Sequence, residues 1–264
     1  MKAQIFGMDG KAAGEVELPA LFAQEVRLGL IARAAIADQT HSYQPKGNDV
    51  WAGMRTSARY RGRKEDFGSI KNHGISRLPR EVLSNGRFGK VRLVPSSVKG
   101  RRAHPPRVEK RLIERINRKE YAKALGSALA ATANNGVVSA RGHKISAAMK
   151  LPFVFDESVE NATKTKQIAK MFETLGIQGD IDRARITRHR SGIGARKGGV
   201  RRAKSLLVVV GKECGLSKAA RNIAGVDVVE ASKLRVLDLA PGAKAGRLAA
   251  FTKGAIEALS HRVQ

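Results

Sequence analysis

Hydrophobic and polar positions along the chain follow two spacings, one typical of strands and the other typical of helices. Short, mostly apolar runs predict strands at 3–6, 15–18, 151–155, 205–211, 226–229 and 247–251. The run SLLVVVG at 205–211 gives the strongest of these signals, because continuous apolar content is typical of a strand buried on both faces. Such strands belong to sheets that helices cover on each side.

Apolar residues three or four positions apart predict the helices. Phe22, Val26, Leu30 and Ala34, for example, recur every four residues. The predicted helices cover 21–37, 118–134, a stretch that stops at Gly176, a short stretch capped by Ser217 that ends at Gly225, and a closing stretch capped by Thr252. Strands that alternate with helices predict an α/β fold, a single globular domain with a mainly parallel sheet and flanking helices.

The segment 40–111 departs from both spacings and has no sustained period over its 72 residues. Loops longer than roughly 15 residues are uncommon in compact domains and are usually functional or disordered. We therefore predict a discontinuous globular domain, 1–39 with 112–264, and a long extended loop at 40–111. A second basic excursion, 183–204, interrupts the globular domain.

Charge is concentrated in these two segments. Fifty Lys and Arg face 23 Asp and Glu, which gives a formal net charge of +27. Eighteen of the cations and five acids fall within 40–111, and nine cations with no acid fall within 183–204. Such a field favours a polyanionic partner, with nucleic acid as the first candidate and an anionic membrane surface as the second.

Aromatic residues are interleaved with the cations of the long loop. Five of the chain's twelve lie there: Tyr43, Trp51, Tyr60, Phe67 and Phe88. A solvated linker rarely keeps aromatic rings, whereas rings stack on unpaired bases and cations contact phosphates in proteins that thread folded RNA. The loop is therefore interpreted as an RNA-binding element.

The candidate RNA-binding residues are Lys and Arg of the two basic segments. In the long loop they are Arg55, Arg59, Arg61, Arg63, Lys64, Lys71, Arg77, Arg80, Arg87, Lys90, Arg92, Lys99, Arg101, Arg102 and Arg107. In the second segment they are Arg188, Arg190, Arg196, Lys197, Arg201 and Arg202. Arginine suits this role because its planar guanidinium binds phosphate through two hydrogen bonds and stacks on bases.

The stretch VPSSVKGRRAHPPRVEKR at 94–111 has too little apolar surface to fold alone. We expect RNA to supply its scaffold, with Pro95, Pro105 and Pro106 reducing the entropy lost on ordering. Its cations are predicted to contact phosphates. Specificity would come from RNA shape and splayed bases rather than from a duplex groove.

Signals for catalysis, cofactors and metals are weak. Gly192, Gly194 and Gly198 lack the spacing of a dinucleotide loop and follow no predicted strand, so we expect them to let backbone approach phosphate closely. None of the six histidines forms a metal-ligand spacing with another His or with the single Cys. His104 and His189 are interpreted as neutral loop imidazoles, with phosphate or base contact as the alternative.

Three further residues, Cys214, Asp180 and Asp182, are expected to have structural rather than catalytic roles. Cys214 is expected to be a small, partly buried residue after a strand rather than a reactive thiol. Asp180 and Asp182 are expected to cap or balance the adjoining cationic segment. The sequence thus predicts no catalytic residue, no cofactor, no metal ion and no small-molecule substrate.

The expected compartment follows from cysteine content and hydropathy. One cysteine excludes an internal disulfide and suits a reducing cytosol. The first residues lack a signal-peptide run, and the longest apolar runs are far shorter than a bilayer span. We expect a soluble, cytoplasmic protein with no targeting segment and no membrane partner.

Seven motifs stand in the order found in one known family. They are VWAGMRTSA (50–58), RLPRE (77–81), LVPSSVKGRRAHPPRVEK (93–110), RKEYAKALGSALAATA (118–133), RGH (141–143), AARNIAGVDVVEASKLRVLDLAPG (219–242) and GRLAAFT (246–252). In these the chain resembles the large-subunit ribosomal protein L-four family in its archaeal-type form. The resemblance covers nearly the whole chain.

The resemblance implies an α/β domain on the outer face of the large ribosomal subunit. It implies a long loop that penetrates ribosomal RNA and whose tip helps line the nascent-peptide exit tunnel. The implied partners are ribosomal RNA of the large subunit, neighbouring ribosomal proteins and the nascent peptide near the loop tip. The implied role is structural and supports assembly, and it is not enzymatic.

The sequence departs from the family pattern in two places. The stretch 59–74 carries Glu65 and Asp66 where the family's loop tip is commonly rich in glycine. Ala243 stands where the family often has a second glycine, so the turn there is expected to differ slightly.

Two other classes of function stay open on the residues alone. A nucleic-acid-processing enzyme would need convergent acids or a metal cluster, and the sequence shows neither. A free regulatory or chromatin-type RNA-binding protein would be distinguished by a persistent free pool in a sucrose gradient.

Overall fold

The structure, a computed structural model, describes residues 1–146 and 149–262. It divides the chain into two compact units, one of Met1–Ser42 with Ile113–Gln264 and one of Tyr43–Leu112. The first unit is called the body here, and the second is called the basic arm. The body carries the main sheet and the hydrophobic core.

The strands alternate with helices along the body, as predicted. In chain order the described strands of both units are β1 Lys2–Phe6, β2 Ala12–Glu17, β3 Arg80–Val82, β4 Phe88–Val91, β5 Phe153–Phe155, β6 Thr187–His189, β7 Val200–Arg202, β8 Leu207–Val210, β9 Asp227–Glu230 and β10 Ala249–Thr252. Strands β3 and β4 lie in the basic arm and the others lie in the body. Six of these form one sheet in the order β2-β1-β5-β10-β8-β9. The pair β1–β2 is antiparallel and the other neighbours are parallel, which confirms the predicted fold class.

Helices flank the sheet. In chain order they are α1 Leu28–Thr40, α2 Arg118–Ala133, α3 Asn135–Ala140, α4 Thr165–Thr174, α5 Gln178–Arg185, α6 Ile193–Arg196, α7 Gly215–Ala220, α8 Val236–Leu239 and α9 Lys253–Arg262. The predicted stop at Gly176 is confirmed, because α4 ends at Thr174 and Gly176 adopts a φ of 74°. The predicted cap is confirmed too, because Ala255 N–H donates to Thr252 Oγ1 at 3.3 Å.

Strand β8 shows why its sequence is continuously apolar. Leu207 and Val209 belong to one buried cluster, and Val208 and Val210 belong to another. Successive strand residues point to opposite faces of a sheet, so each face of β8 packs against its own layer of helices. All four side chains are fully buried.

The helix predicted at 21–37 is wrong in its first half. Ala20–Ala23 forms a 3-10 turn, and α1 begins only after Arg27. The reason lies in α2: Arg27 N–H donates to Ser127 Oγ at 2.7 Å, and Ser127 Oγ donates to the carbonyl of Glu25 at 2.9 Å. These bonds satisfy the backbone outside a helix, which the four-residue spacing does not reveal.

Two further boundaries differ from the prediction. Helix α7 starts at Gly215 and ends at Ala220, so Ser217 lies inside the helix rather than at its cap. Helix α5, which the sequence pattern did not predict, takes in the first residues of the predicted 183–204 excursion. Both helices form because they bury an apolar face, Leu216 and Ala219 in α7 and Ile181 in α5.

The basic arm contains regular structure that the absence of a sequence period did not predict. Strands β3 and β4 form an antiparallel hairpin, and Arg59 forms an isolated bridge with Arg80. Only a few arm residues are buried, among them Ala58 and Ile70. Backbone pairing therefore shapes the arm more than side-chain burial does.

Candidate nucleic-acid interface

The two limbs of the basic arm contact each other at defined points. Arg59 and Arg80 exchange two backbone hydrogen bonds of 3.1 and 3.2 Å. A Cβ on Gly53 would overlap the backbone of Gly100, so the limbs can cross there only because residue 53 is glycine. These contacts give the arm a backbone framework that presents its side chains outward.

Most of the candidate cations of the arm are exposed. They are Arg55, Arg59, Arg63, Lys64, Lys71, Arg77, Arg87, Lys90, Lys99, Arg101, Arg102 and Arg107. Within the described residues only Arg55 of this set has a carboxylate partner, Asp49, at 2.9 Å. The others have no carboxylate within 4.0 Å among the described residues, which suits contact with an external polyanion.

Three candidate cations, Arg61, Arg80 and Arg92, are half-buried. Arg92 Nε donates to Glu81 at 2.7 Å, and its Nη1 donates to the carbonyl of Val98 at 2.6 Å. Arg80 donates to Ser76 Oγ at 3.1 Å. Arg80 and Arg92 thus brace the arm internally, a role that the sequence does not distinguish from RNA contact.

The aromatic rings of the arm are largely in contact with solvent. Tyr43, Trp51 and Tyr60 are more than half exposed, and Phe67 is 92% exposed. Phe88 is half-buried and faces the ring of His73, with centroids 6.3 Å apart. Exposed rings among cations match the chemistry of a surface that stacks on bases.

The second basic segment forms a hairpin of β6 and β7 with α6 at its tip, called the basic hairpin here. All six candidate cations of this segment are exposed. Arg188 lies directly opposite Arg201 across the two strands. Like charges at opposed positions destabilise a strand pair, so the hairpin gains stability from any anion that binds between them.

Glycines shape the tip of the basic hairpin. Gly199 N–H donates to the carbonyl of Gly194 at 2.9 Å, and a Cβ on Gly199 would overlap that carbonyl. Gly192 and Gly198 adopt φ values of 63° and 65°, which favour glycine. The tight turn accounts for these residues, and their predicted close approach to phosphate stays a prediction.

The basic hairpin and the rest of the body enclose a cleft of about 780 Å³, called the cationic cleft here. Its lining residues are Arg141, His143, Arg183, Ile186, Arg188, Arg190, Arg201, Arg202, Ala203, Lys204, Pro241, Gly242 and Lys244. Eight of them are Lys or Arg and none is Asp or Glu. Cations in a concave site focus a positive field that attracts anions.

A buried hydrogen-bond cluster forms the floor of the cationic cleft. Asp180 is fully buried and accepts from Arg183 Nε at 2.9 Å and from Ser205 Oγ at 2.6 Å. His143 Nε2 accepts from Leu248 N–H at 3.3 Å, so the ring proton lies on Nδ1, which donates to Asp180 at 3.0 Å. Burial alone would raise the pKa of Asp180, but the bonds from His143, Arg183 and Ser205 outweigh it and lower that pKa.

A second buried charge supports the same floor. Arg247 Nε donates to the carbonyl of Ser205 at 3.1 Å, and its Nη2 donates to Asp227. Lys204 Nζ donates to the other oxygen of Asp227 at 2.9 Å. Arg247 is almost completely buried, and burial lowers its pKa despite the nearby carboxylate of Asp227. These pairs fix the start of β8 beneath the cleft.

Arg141 is a cleft residue that was not among the predicted sites. It follows α3, and its Nη2 and Nη1 donate to the carbonyls of Pro241 and Ala245 at 2.6 and 3.4 Å. Burial and the neighbouring cations Arg247 and Arg183 lower the pKa of Arg141 to about 10. The side chain is therefore charged at neutral pH, and it has carbonyl partners but no carboxylate partner among the described residues.

The charge balance expected of Asp180 and Asp182 and the partial burial expected of Cys214 are confirmed. Asp180 and Asp182 balance the cationic segment, because they pair with Arg183 at 2.9 Å and Arg185 at 3.1 Å. Cys214 is partly buried after β8. The burial of Asp180 was not predicted, since its partner His143 lies 37 positions away and no local spacing joins them.

In residues 1–146 and 149–262, no group of three or more His, Cys, Asp or Glu side chains is placed to hold a metal ion. Over the same residues, no helix has the length and apolar content needed to cross a membrane.

Comparison with known proteins identifies the family. The model of the family described as "Ribosomal protein L4/L1 family" matches residues 16–262. The chain belongs to this family. The resemblance carried by the seven sequence motifs is therefore confirmed.

Archaeal members of the family match the chain over its length. The Large ribosomal subunit protein uL4 of Methanococcus maripaludis is 46% identical over 264 residues, which cover 99% of this chain and 100% of the relative. The protein of the same name from Methanocaldococcus jannaschii is 43% identical, with 100% of both chains covered. That of Archaeoglobus fulgidus is 43% identical, with 98% of both chains covered.

Proposed function

We propose that the protein is a structural constituent of the large ribosomal subunit, where it binds ribosomal RNA and supports assembly. The observation that carries the proposal is the set of exposed cations on the basic arm and the basic hairpin, nearly all without acidic partners in the described residues. The names of its relatives support the same role. The proposal assigns no reaction to the protein.

The basic arm is proposed to penetrate ribosomal RNA, and its tip to help line the nascent-peptide exit tunnel. Its exposed rings and guanidinium groups supply stacking surfaces, and its cations supply phosphate contacts. The arm buries few of its own side chains, so RNA would provide the surface that orders it. The partners are then ribosomal RNA, neighbouring large-subunit proteins and the nascent peptide near the tip.

The test replaces residues 55–92 with a short Gly–Ser linker and follows the protein into large subunits. We expect the shortened chain to keep a folded body, to enter subunits less efficiently and to leave a gap in the tunnel wall visible by electron cryomicroscopy. The matched control is the full-length chain with Lys166→Gln and Lys170→Gln in α4. Unchanged tunnel density would contradict the role of the arm, and a persistent free pool of the full-length chain would favour a regulatory protein instead.

Limited proteolysis tests the proposed ordering of the arm by RNA. The purified protein is expected to be cleaved within 43–112 and within the basic hairpin, and both are expected to be protected in large subunits. Protection in the purified protein as well would show that these segments are stable without RNA.

A further inference from the structure

Two sequence motifs that the proposed function leaves without a role meet in the cationic cleft. RGH at 141–143 and the end of the long C-terminal motif at 239–242 are about a hundred positions apart, and the bond from Arg141 Nη2 to the carbonyl of Pro241 joins them. Lys244 follows directly and lines the same cleft. These residues form a wall on the body that faces the cations of the basic hairpin.

The cations at the floor of the cleft are paired with acids, whereas the cations of its two walls are not. Arg183 and Lys204, at the floor, pair with Asp180 and Asp227. The remaining cleft cations have no carboxylate within 4.0 Å among the described residues; they are Arg141, Arg188, Arg190, Arg201, Arg202 and Lys244. Six such charges around one concavity repel each other, and an anion with more than one charge would relieve the repulsion.

The cleft also offers apolar surface. Ile186 lines it and is 67% exposed, an unusual position for a large aliphatic side chain. Pro241 lines the opposite wall and is half-buried. A ligand that matches this lining has anionic groups and a flat or aliphatic part, which is the chemistry of a nucleotide.

Size decides between paired and unpaired RNA. A cleft of about 780 Å³ lies in the range of sites that enclose a small organic molecule, roughly 300–1,000 Å³. One nucleotide with its flanking phosphates fits such a volume, whereas a regular duplex is far too wide to enter. Bulged or looped nucleotides are also the parts of folded RNA whose bases are accessible.

We propose that the cationic cleft holds one unpaired nucleotide of RNA and grips its two flanking phosphates between the body wall and the basic hairpin. Arg141 and Lys244 contact one phosphate, Arg188 and Arg201 contact the other, and Ile186 packs against the ribose or base. The proposal rests on the proposed function, since it presupposes that the protein binds RNA. The proposal adds a site that binds one nucleotide per protein to a basic surface that would otherwise contact RNA without fixed positions.

The test compares two fluorescent RNA hairpins by anisotropy, one with a single bulged uridine and one fully paired, using the full-length protein. One cleft variant is Lys244→Gln, on the wall that the body forms. The other is the double variant Arg188→Gln, Arg201→Gln, on the wall that the basic hairpin forms. All three side chains are exposed and have no carboxylate partner in the described residues, so the folded state should be unaffected. The matched control is Lys170→Gln in α4, an exposed lysine outside the cleft.

We expect the wild-type protein to prefer the bulged hairpin by on the order of tenfold, as one accommodated nucleotide allows. Each cleft variant should lose most of that preference, while its binding to the paired hairpin changes little. The log–log salt slope for the bulged hairpin should fall by roughly 0.7–0.9 for each phosphate contact removed. The control should match the wild type for both RNAs.

Two failures are distinguishable. Equal binding of both hairpins by the wild type, or a preference that survives in both cleft variants, would overturn the cleft proposal and leave RNA binding through the arm intact. Failure of the wild-type protein to bind either RNA at low salt would overturn the proposed function and this inference with it.

Discussion

The body and the basic arm are held together by different physics. The body buries two apolar layers against a central sheet, with most core side chains less than 5% exposed. The arm is a compact unit of 43–112, yet it leaves Trp51 and Phe67 exposed and buries little beyond Ala58 and Ile70. Hydrophobic burial can stabilise the body without a partner, whereas the arm depends on backbone pairing and, in our proposal, on RNA.

The largest expected effect is on the free energy of unfolding, which a Phe→Ala substitution should lower in the body but not in the arm. Phe251 is fully buried in β10 and meets Phe22 edge-on at 5.2 Å, so Phe251→Ala should lower the free energy of unfolding by about 3–5 kcal/mol. Phe67→Ala in the arm should leave it unchanged, because that ring is 92% exposed. Denaturant unfolding followed by circular dichroism measures both, and equal effects would contradict the comparison.

A buried polar cluster gives the body a dependence on acid. The folded-state pKa of Asp180 is lowered, so its stabilisation is complete above the unfolded-state pKa of about 3.9 and is lost as the pH falls further. Asp180→Asn removes one partner from a buried network and should cost about 3 kcal/mol at pH 7. The loss should shrink as the pH falls below about 4.

Unfolding experiments at pH 7 and pH 3 check this prediction. The control is Asp182→Asn, whose carboxylate is exposed and pairs with Arg185 at the surface. A surface pair contributes roughly 0–1 kcal/mol, so the control should change stability little. A loss for Asp180→Asn that is equally large at both pH values would show that charge is not its cause.

RNA binding should show the opposite pattern, because removing charges from the arm should weaken it and removing charges from α4 of the body should not. Arg101→Ala with Arg102→Ala should weaken RNA binding mainly through lost counterion release, and the log–log salt slope should fall by roughly 0.7–0.9 per phosphate contact. Lys166→Ala with Lys170→Ala in α4 removes the same charge from the body and should leave the slope unchanged. An unchanged slope in the arm variant would mean that these side chains do not touch phosphate.

The smallest expected effect concerns backbone strain. Ala243 adopts a φ of 61°, a left-handed conformation that glycine adopts without strain. Ala243→Gly should therefore stabilise the body by roughly 1 kcal/mol. Lys99 in the arm has a φ of 60°, yet Lys99→Gly should not change the thermal midpoint of the body. Thermal unfolding of the purified variants measures both, and a rise for Lys99→Gly would show that the arm and the body unfold together.

The sequence predicted correctly those features that depend only on residues close together along the chain. Alternating apolar runs and helical spacings predicted the α/β class and the strands near 3–6, 151–155, 205–211 and 247–251, because burial on a strand or a helix face has a fixed period. The separation of basic segments from apolar ones was visible as composition. The order of seven motifs was sufficient for the family.

Tertiary structure decided the rest, because it depends on which elements become neighbours. The break before α1 follows from Ser127, about a hundred positions away, which takes up the backbone groups that a helix would have used. The arm's hairpin of β3 and β4 forms through backbone hydrogen bonds. Because the arm buries few side chains, its sequence has no clear spacing of apolar residues.

The cationic cleft shows the same limit most clearly. Arg188 and Arg201 were predictable as members of a basic run. Lys244 joins them because β8 and β10 are parallel neighbours, so the segments that precede these strands meet at one edge of the sheet. Arg141 joins them through its bond to the carbonyl of Pro241. The net charge of a segment can be counted from its sequence, but the direction in which each charged side chain points cannot. A binding site needs those charges to face one volume, and only the folded arrangement of strands and loops sets which of them do.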